Sequence, residues 1–455
     1  MKKRLAFAVM AATLALGTAG ISSTTTTQKA YASTNLLVDT ALVNQLDSMV
    51  DLDSTKIILT FTSKPTLADL DLLKGLGITA GTRLNSLPMV ITTATKAQID
   101  NLLQANIPNL VSVYADKQLE YFLDQSVHKI GADRVWSDPA LGFTGKGIGV
   151  AVVDSGIDGT HPGLTYGTRT VQNVKVVDDL VTDFISPVYL ENLPDTDNAG
   201  GHGTHCAGII GGDGAGSDGK YKGVAPESNL IGVSSGAAIL VTTALEGLDY
   251  VLTNKDRYNI QVVSNSWGTS DTPYDPNDPI NVASKQLHDA GVTVVFAAGN
   301  DGPGDNTLNP YSVAPWVIGV AAGTKTEETA LADFSSRGIF GDPLYHPTIT
   351  APGMDIVSAK AKESVLSPLS LQTDLTMIPV EYQPYYTTMS GTSMATPHIA
   401  GVLALMEQAD PDLTPDEAKQ YLIDTATPMP DYDEYEVGAG FVNAYDAVTL
   451  AKQGQ

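Results

Sequence analysis

The sequence predicts an α/β protein built on a doubly wound, mostly parallel sheet flanked by helices and preceded by a small α+β unit. Two observations carry this. From about residue 122 onward, short apolar runs at 148–153, 230–233, 262–264, 292–298 and 317–322 alternate with helical stretches at 237–252 and 280–290. Most of these runs are continuous rather than alternating, as expected of parallel strands buried on both faces. Near the C-terminus, Thr414-Pro415-Asp416-Glu417 starts a helix, with a threonine cap, proline in the first turn and glutamate three residues on. The stretch from about 362 to 386 has little period and several prolines, and reads as a surface insertion or long loop.

The preceding segment, 33–121, has a different texture. It reads as a strand at 56–62 with Ile57, Leu59 and Phe61 on one face, a helix at 66–76, a strand at 87–93, an amphipathic helix at 95–106 and a strand at 109–115. Pro88 marks an edge or a start in the second strand, and a further short strand falls near Ile78. The segment has no histidine and no cysteine, and no catalytic constellation is found in it.

The first residues form an export pattern. Lys2, Lys3 and Arg4 precede an apolar run over 5–20, and Ala30-Tyr31-Ala32 then supplies a small-residue cleavage site. A run of that length, broken by glycine, is short for a membrane span. A cleaved signal over 1–32, a secreted bacterial protein and no stable membrane anchor are expected. The net charge of −25 argues against a nucleic-acid partner. Cys206 is the sole cysteine, so no intrachain disulfide forms and a large core or bound cations must stabilise the exported chain.

Three segments carry candidate chemistry. The run Ala151-Val152-Val153 ends abruptly in Asp154-Ser155-Gly156, where an α/β sheet places ligand-facing groups. In Gly201-His202-Gly203-Thr204-His205-Cys206, small residues crowd a histidine at the head of a helix. A metal site on His202, His205 and Cys206 is an alternative, although no carboxylate follows as in a zincin. In Ser390-Gly391-Thr392-Ser393-Met394-Ala395-Thr396-Pro397, a serine precedes an apolar helix over 394–406. Its hydroxyl either caps that helix or sits where N–H groups favour developing negative charge. Acyl transfer by serine needs a base to take the hydroxyl proton and a carboxylate to orient that base. The chain offers them in the order Asp154, His202, Ser393, which is the order known for subtilisin.

Those three segments, together with Ala297-Ala298-Gly299-Asn300, resemble the signature segments of the subtilisin-like serine proteases, over roughly residues 122–447. The preceding unit resembles that family's inhibitory propeptide. The resemblance implies a serine endopeptidase with a signal peptide (1–32), a propeptide (33–121) and a catalytic domain (122–455). Self-cleavage between Tyr121 and Asp124 would mature it. It also implies that Asp154 polarises the imidazole, His202 is general base and then acid, Ser393 is the nucleophile and Asn300 is an oxyanion donor. Ser266, Trp267 and Gly268 would pair with extended substrate, and Ala297, Ala298 and Gly299 would line the opposite wall.

Partners implied are protein or peptide substrates and the chain's own propeptide, with a monomer expected. No cofactor is implied for catalysis. Structural calcium is in question. Gln125 falls at a family calcium position, Gly163 stands where classical members carry a calcium-binding aspartate, and Asp213 and Asp218 could form a different site. Rival readings are a processing protease for one partner, a catalytically silent binding relative and a metal hydrolase.

Overall fold

The computed structural model describes residues 36–116, 120–121, 126–177, 184–270, 272–326 and 329–454. The expected signal segment and Gln125 lie outside the described residues.

The N-terminal module contains β1 (Leu37–Val38), α1 (Thr40–Ser48), β2 (Ser54–Phe61), α2 (Leu67–Gly75), β3 (Gly81–Arg83), β4 (Met89–Thr95), α3 (Lys96–Gln104) and β5 (Leu110–Ala115). β6 (Glu120–Tyr121) follows it. The five strands and three helices contain every element expected from the sequence, with β3 a few residues beyond Ile78; β1 and α1 are additional. Capping boxes at Thr66–Asp69 and Thr95–Gln98 start α2 and α3. Alternation along β2 splits its side chains: Ile58 joins a core cluster shared with the rest of the chain, while Ile57 and Leu59 are buried on the opposite face.

The remaining residues build the body. Its elements begin with α4 (Ala132–Ser137), β7 (Gly149–Asp154), β8 (Thr170–Val177), β9 (Phe184–Ile185), β10 (Val188–Leu190), α5 (His202–Gly211), β11 (Asn229–Ser234) and α6 (Val241–Tyr258). Then come β12 (Ile260–Asn265), β13 (Trp267–Gly268), α7 (Pro279–Asp289), β14 (Thr293–Ala297), β15 (Ile318–Gly323), β16 (Ile349–Pro352), β17 (Ile356–Ala359), α8 (Leu371–Met377) and β18 (Tyr386–Met389). Helices α9 (Thr392–Ala409), α10 (Pro415–Thr425), α11 (Glu434–Val437) and α12 (Ala444–Gln453) complete the chain. The eight-stranded sheet runs β10-β8-β11-β7-β12-β14-β15-β16 and is parallel except for the β10–β8 edge. Strand order reverses between β7 and β12, so their carboxyl ends flank the crevice where such sheets bind ligands.

One face of the sheet is covered by α5 and α9, whose apolar residues cluster with Val150, Val152, Val295 and Val320. Every residue of α9 except Gln408 is buried. On the other face, α6 and α7 pack with Val153, Val233 and Phe296, and module residues Ile58, Leu84, Leu87, Met89, Ile91 and Tyr114 belong to the same cluster. The module sheet is also extended by a body strand, since β9 pairs parallel with β3.

The surface insertion or long loop expected at 362–386 lies at the surface but is not all loop. It contains α8, and its anchor is the buried Asp374, whose carboxylate accepts from Thr388 N, Thr388 Oγ1 and Thr387 Oγ1. A seven-residue helix whose inward face carries a charge leaves no hydrophobic period to read.

Candidate active site

β7 delivers Asp154 at its last position, and α5 begins at His202. Gly201 ahead of it has φ 83°, and a Cβ there would lie 2.3 Å from Ser364 Oγ. Glycine is therefore required at this entry on two counts. Asp197 holds the turn, accepting from Gly201 N, Thr204 N and Thr204 Oγ1. Sequence reading missed Asp197.

His202 Nδ1 lies 2.7 Å from Asp154 Oδ1, and both residues are fully buried. Asp154 Oδ1 also accepts from Ser155 N, while its Oδ2 is buried without a hydrogen-bond partner among the described residues. Burial by itself would lower the imidazole pKa, but the adjacent carboxylate outweighs it and raises it well above the usual value. Nδ1 therefore carries the proton given to Asp154. Burial pushes the Cys206 thiol up, so this group, 3.8 Å from Nδ1, is an uncharged neighbour.

Ser393 is the second residue of α9, whose N-cap is Gly391. The capping reading of Ser393 is thus corrected: its Oγ donates to Ser266 O at 2.8 Å. The converse bond runs from Ser266 Oγ to Ser393 O at 2.7 Å. Pro397 explains why that carbonyl is available. A helical residue four positions on would donate to it, and proline has no N–H.

Asn300 Oδ1 accepts from Thr392 N at 2.9 Å and Thr392 Oγ1 at 3.0 Å. This ties the side chain to the residue preceding Ser393 and turns its amide nitrogen away from Thr392. Gly299, at φ 110°, carries the chain around this corner. Trp267 turns its side chain inward. Its ring is fully buried, donates to Val153 O at 2.7 Å and meets Phe296 edge-on. The backbone of Trp267 and Gly268, not the indole, is what faces a strand, and β6 pairs antiparallel there, Trp267 with Tyr121 and Gly268 with Glu120. Ala297 and Ala298 are fully buried, and Ala298 O accepts from Asn309 N.

The alternative metal site on His202, His205 and Cys206 does not come together as a set of three. His205 Nε2 bonds Thr387 O, and burial pushes its pKa down to about 3. Among the described residues, the group of three able to hold a metal is Asp154, His202 and Cys206, without His205. Asp213 accepts from Ala215 N and Asp218 from Tyr382 OH. Among the described residues, no helix is long and apolar enough to cross a membrane.

A parallel sheet with an aspartate, a histidine and a serine at its switch point defines a class of hydrolases rather than one protein. The comparisons narrow it: a model of the subtilase family matches residues 145–445, and the chain belongs to that family. It is 35% identical over 382 residues to serine protease AprX of Bacillus subtilis, covering 80% of each chain. It is 29% identical to subtilisin Savinase of Lederbergia lenta, covering 69% of this chain and 96% of that protein. The crystal structure of fervidolysin from Fervidobacterium pennivorans shares the fold, with TM-score 0.67 at 22% identity, covering 91% of this chain and 63% of that one. Membership supports serine endopeptidase activity.

Proposed function

We propose that the chain is a secreted serine endopeptidase that matures by cutting itself, with Asp154, His202 and Ser393 as its triad. The observation that carries this is the buried 2.7 Å bond between His202 and Asp154, in the crevice where α9 presents Ser393. In the reaction, the Ser393 hydroxyl leaves Ser266 O and passes its proton to His202 Nε2 as Oγ bonds the scissile carbonyl carbon. The imidazolium then protonates the leaving amine as the C–N bond breaks. Water repeats the sequence on the acyl-enzyme, returning the proton to Ser393. Asn300 Nδ2 and the Ser393 N–H receive the oxyanion. Substrate lies antiparallel to Trp267–Gly268, as β6 does, against a wall formed by Ala297, Ala298 and Gly299. The step uses the chain's own groups and no cofactor.

The module is read as an intramolecular inhibitor. Its sheet covers apolar residues around α6 and α7, and β6 occupies the substrate edge. A cut between Tyr121 and Asp124 would free the cleft. Residues 122–124 lie outside the described residues. Expression of the full chain with N-terminal sequencing tests this. The expected product begins near residue 122–125, digests casein, withstands chelators and is inactivated by a serine-directed phosphonate. A Ser393→Ala chain that still yields the short form on its own refutes self-processing.

A further inference from the structure

The segment from Ser364 to Tyr386 carries a set of exposed apolar side chains. Val365 is 66% exposed, Leu369 79%, Leu371 58%, Leu375 57% and Val380 75%. Leu371 and Leu375 are four residues apart on α8 and share its outward face. Asp374 and Ile378 are buried, and the carboxylate of Asp374 ties the helix to β18, the strand leading into Ser393. Gln383 Nε2 closes the far end by donating to Ile378 O at 2.9 Å. The apolar groups are therefore held out by a fixed support. In a chain of net charge −25, this segment has two charged residues, the buried Asp374 and Glu381.

Its position names the occupant. Val365 N donates to Ala199 O at 2.9 Å, Ser364 Oγ donates to Gly200 O at 3.1 Å, and Lys362 N donates to Asp158 Oδ2 at 2.9 Å. Ala199 and Gly200 lead directly into His202. The platform thus continues the rim of the cleft on the histidine side, whereas β13 forms the edge taken by β6. His202 hands its proton to the leaving amine, so the polypeptide carried by that amine departs on this side. A nearly uncharged apolar surface there matches apolar side chains in that polypeptide.

We propose that the 364–386 segment is a specificity platform that binds apolar residues of the substrate on the C-terminal side of the cut. This rests on the endopeptidase reading above. The test uses enzyme purified after expression of the full chain and two internally quenched peptides. They are identical up to the scissile bond and continue with either leucine and phenylalanine or serine and glycine. An anilide substrate lacking any such tail is run beside them. The expected ratio of kcat/KM, apolar tail to polar tail, is about tenfold in the wild type. It falls to near one in Leu371→Ser/Leu375→Ser, with the thermal midpoint checking that the variant is folded. A wild type that cuts the anilide but is indifferent to the tail overturns the inference alone, whether or not the variant folds. A wild type inert on all three substrates overturns the endopeptidase reading and the inference together. Equal loss on both peptides in the folded variant also overturns the inference. So does a ratio that stays tenfold in that variant, or a wild-type dimer in sedimentation that the variant abolishes, with no tail preference.

Discussion

The module and the body are held by different means. The body has a core around α5, α9 and α12 to which, among the described residues, the module contributes nothing. The module's inner sheet face has no such independence, because Ile58, Leu84, Leu87, Met89, Ile91 and Tyr114 share their cluster with α6 and α7. At its rim, carboxylates replace apolar contact. Asp249 on α6 accepts from Asn85, Ser86 and Leu87 N–H groups, Asp116 accepts from Thr242 N and Oγ1, and Tyr114 donates to Asp275. The body can therefore outlast the module, whereas the module needs the body to cover one side of its sheet. The inhibitor role proposed for the module requires that asymmetry.

Four experiments sharpen or break it, beginning with the largest effect. Ser393→Ala should lower peptide hydrolysis by about 10⁴-fold or more and leave the module attached, seen as an uncut chain on a gel. Asn300→Ala should lower kcat by about 10²–10³-fold with KM little changed, because the donor acts only as charge develops. Asp249→Ala should quicken amide hydrogen exchange at Asn85, Ser86 and Leu87 by about tenfold to a hundredfold in the uncut chain. That is the range for hydrogen bonds to a charged acceptor, about 1.5–3 kcal/mol. Equal loss of protection in α9 would break the comparison, since it would make the body dependent on the module.

The smallest effect concerns Glu407 in α9. Burial, with Asp410 nearby, pushes its carboxyl up to about 8. The folded state holds this proton more tightly than the unfolded one. Its contribution to stability is therefore full below the ordinary value of 4.5 and is lost as pH rises through about 8. Glu407→Gln should raise the thermal midpoint at pH 9 by about 2–5 °C and leave it unchanged at pH 4.5.

Much of the fold was legible because parallel strands buried on both faces must be continuously apolar. β7, β11, β12, β14 and β15 were read on that ground. β8 was not, because Gln172 and Asn173 interrupt it. Asn173 is buried and paired with Ile157 O and Thr196, so tertiary partners replace the pattern. α8 was hidden for the same reason by Asp374. At the site, Asp154, His202 and Ser393 were legible as candidates from residue type and setting, and Asn300 as a candidate through the family resemblance. The Ser266–Ser393 exchange was not, since it joins positions 127 residues apart. The sequence was also silent on the Trp267 indole, because an expected main-chain pairing sets no side-chain direction.

The burial of α9 has a consequence for how this molecule wears out. A helix enclosed along its length cannot loosen by itself, because any shift of its first turn displaces the packed interior around it. Ser393 rides on that turn. Heating will not silence the serine in an otherwise intact shell; loss of activity and collapse of the whole body coincide, and the surviving fraction at any moment consists of fully working copies.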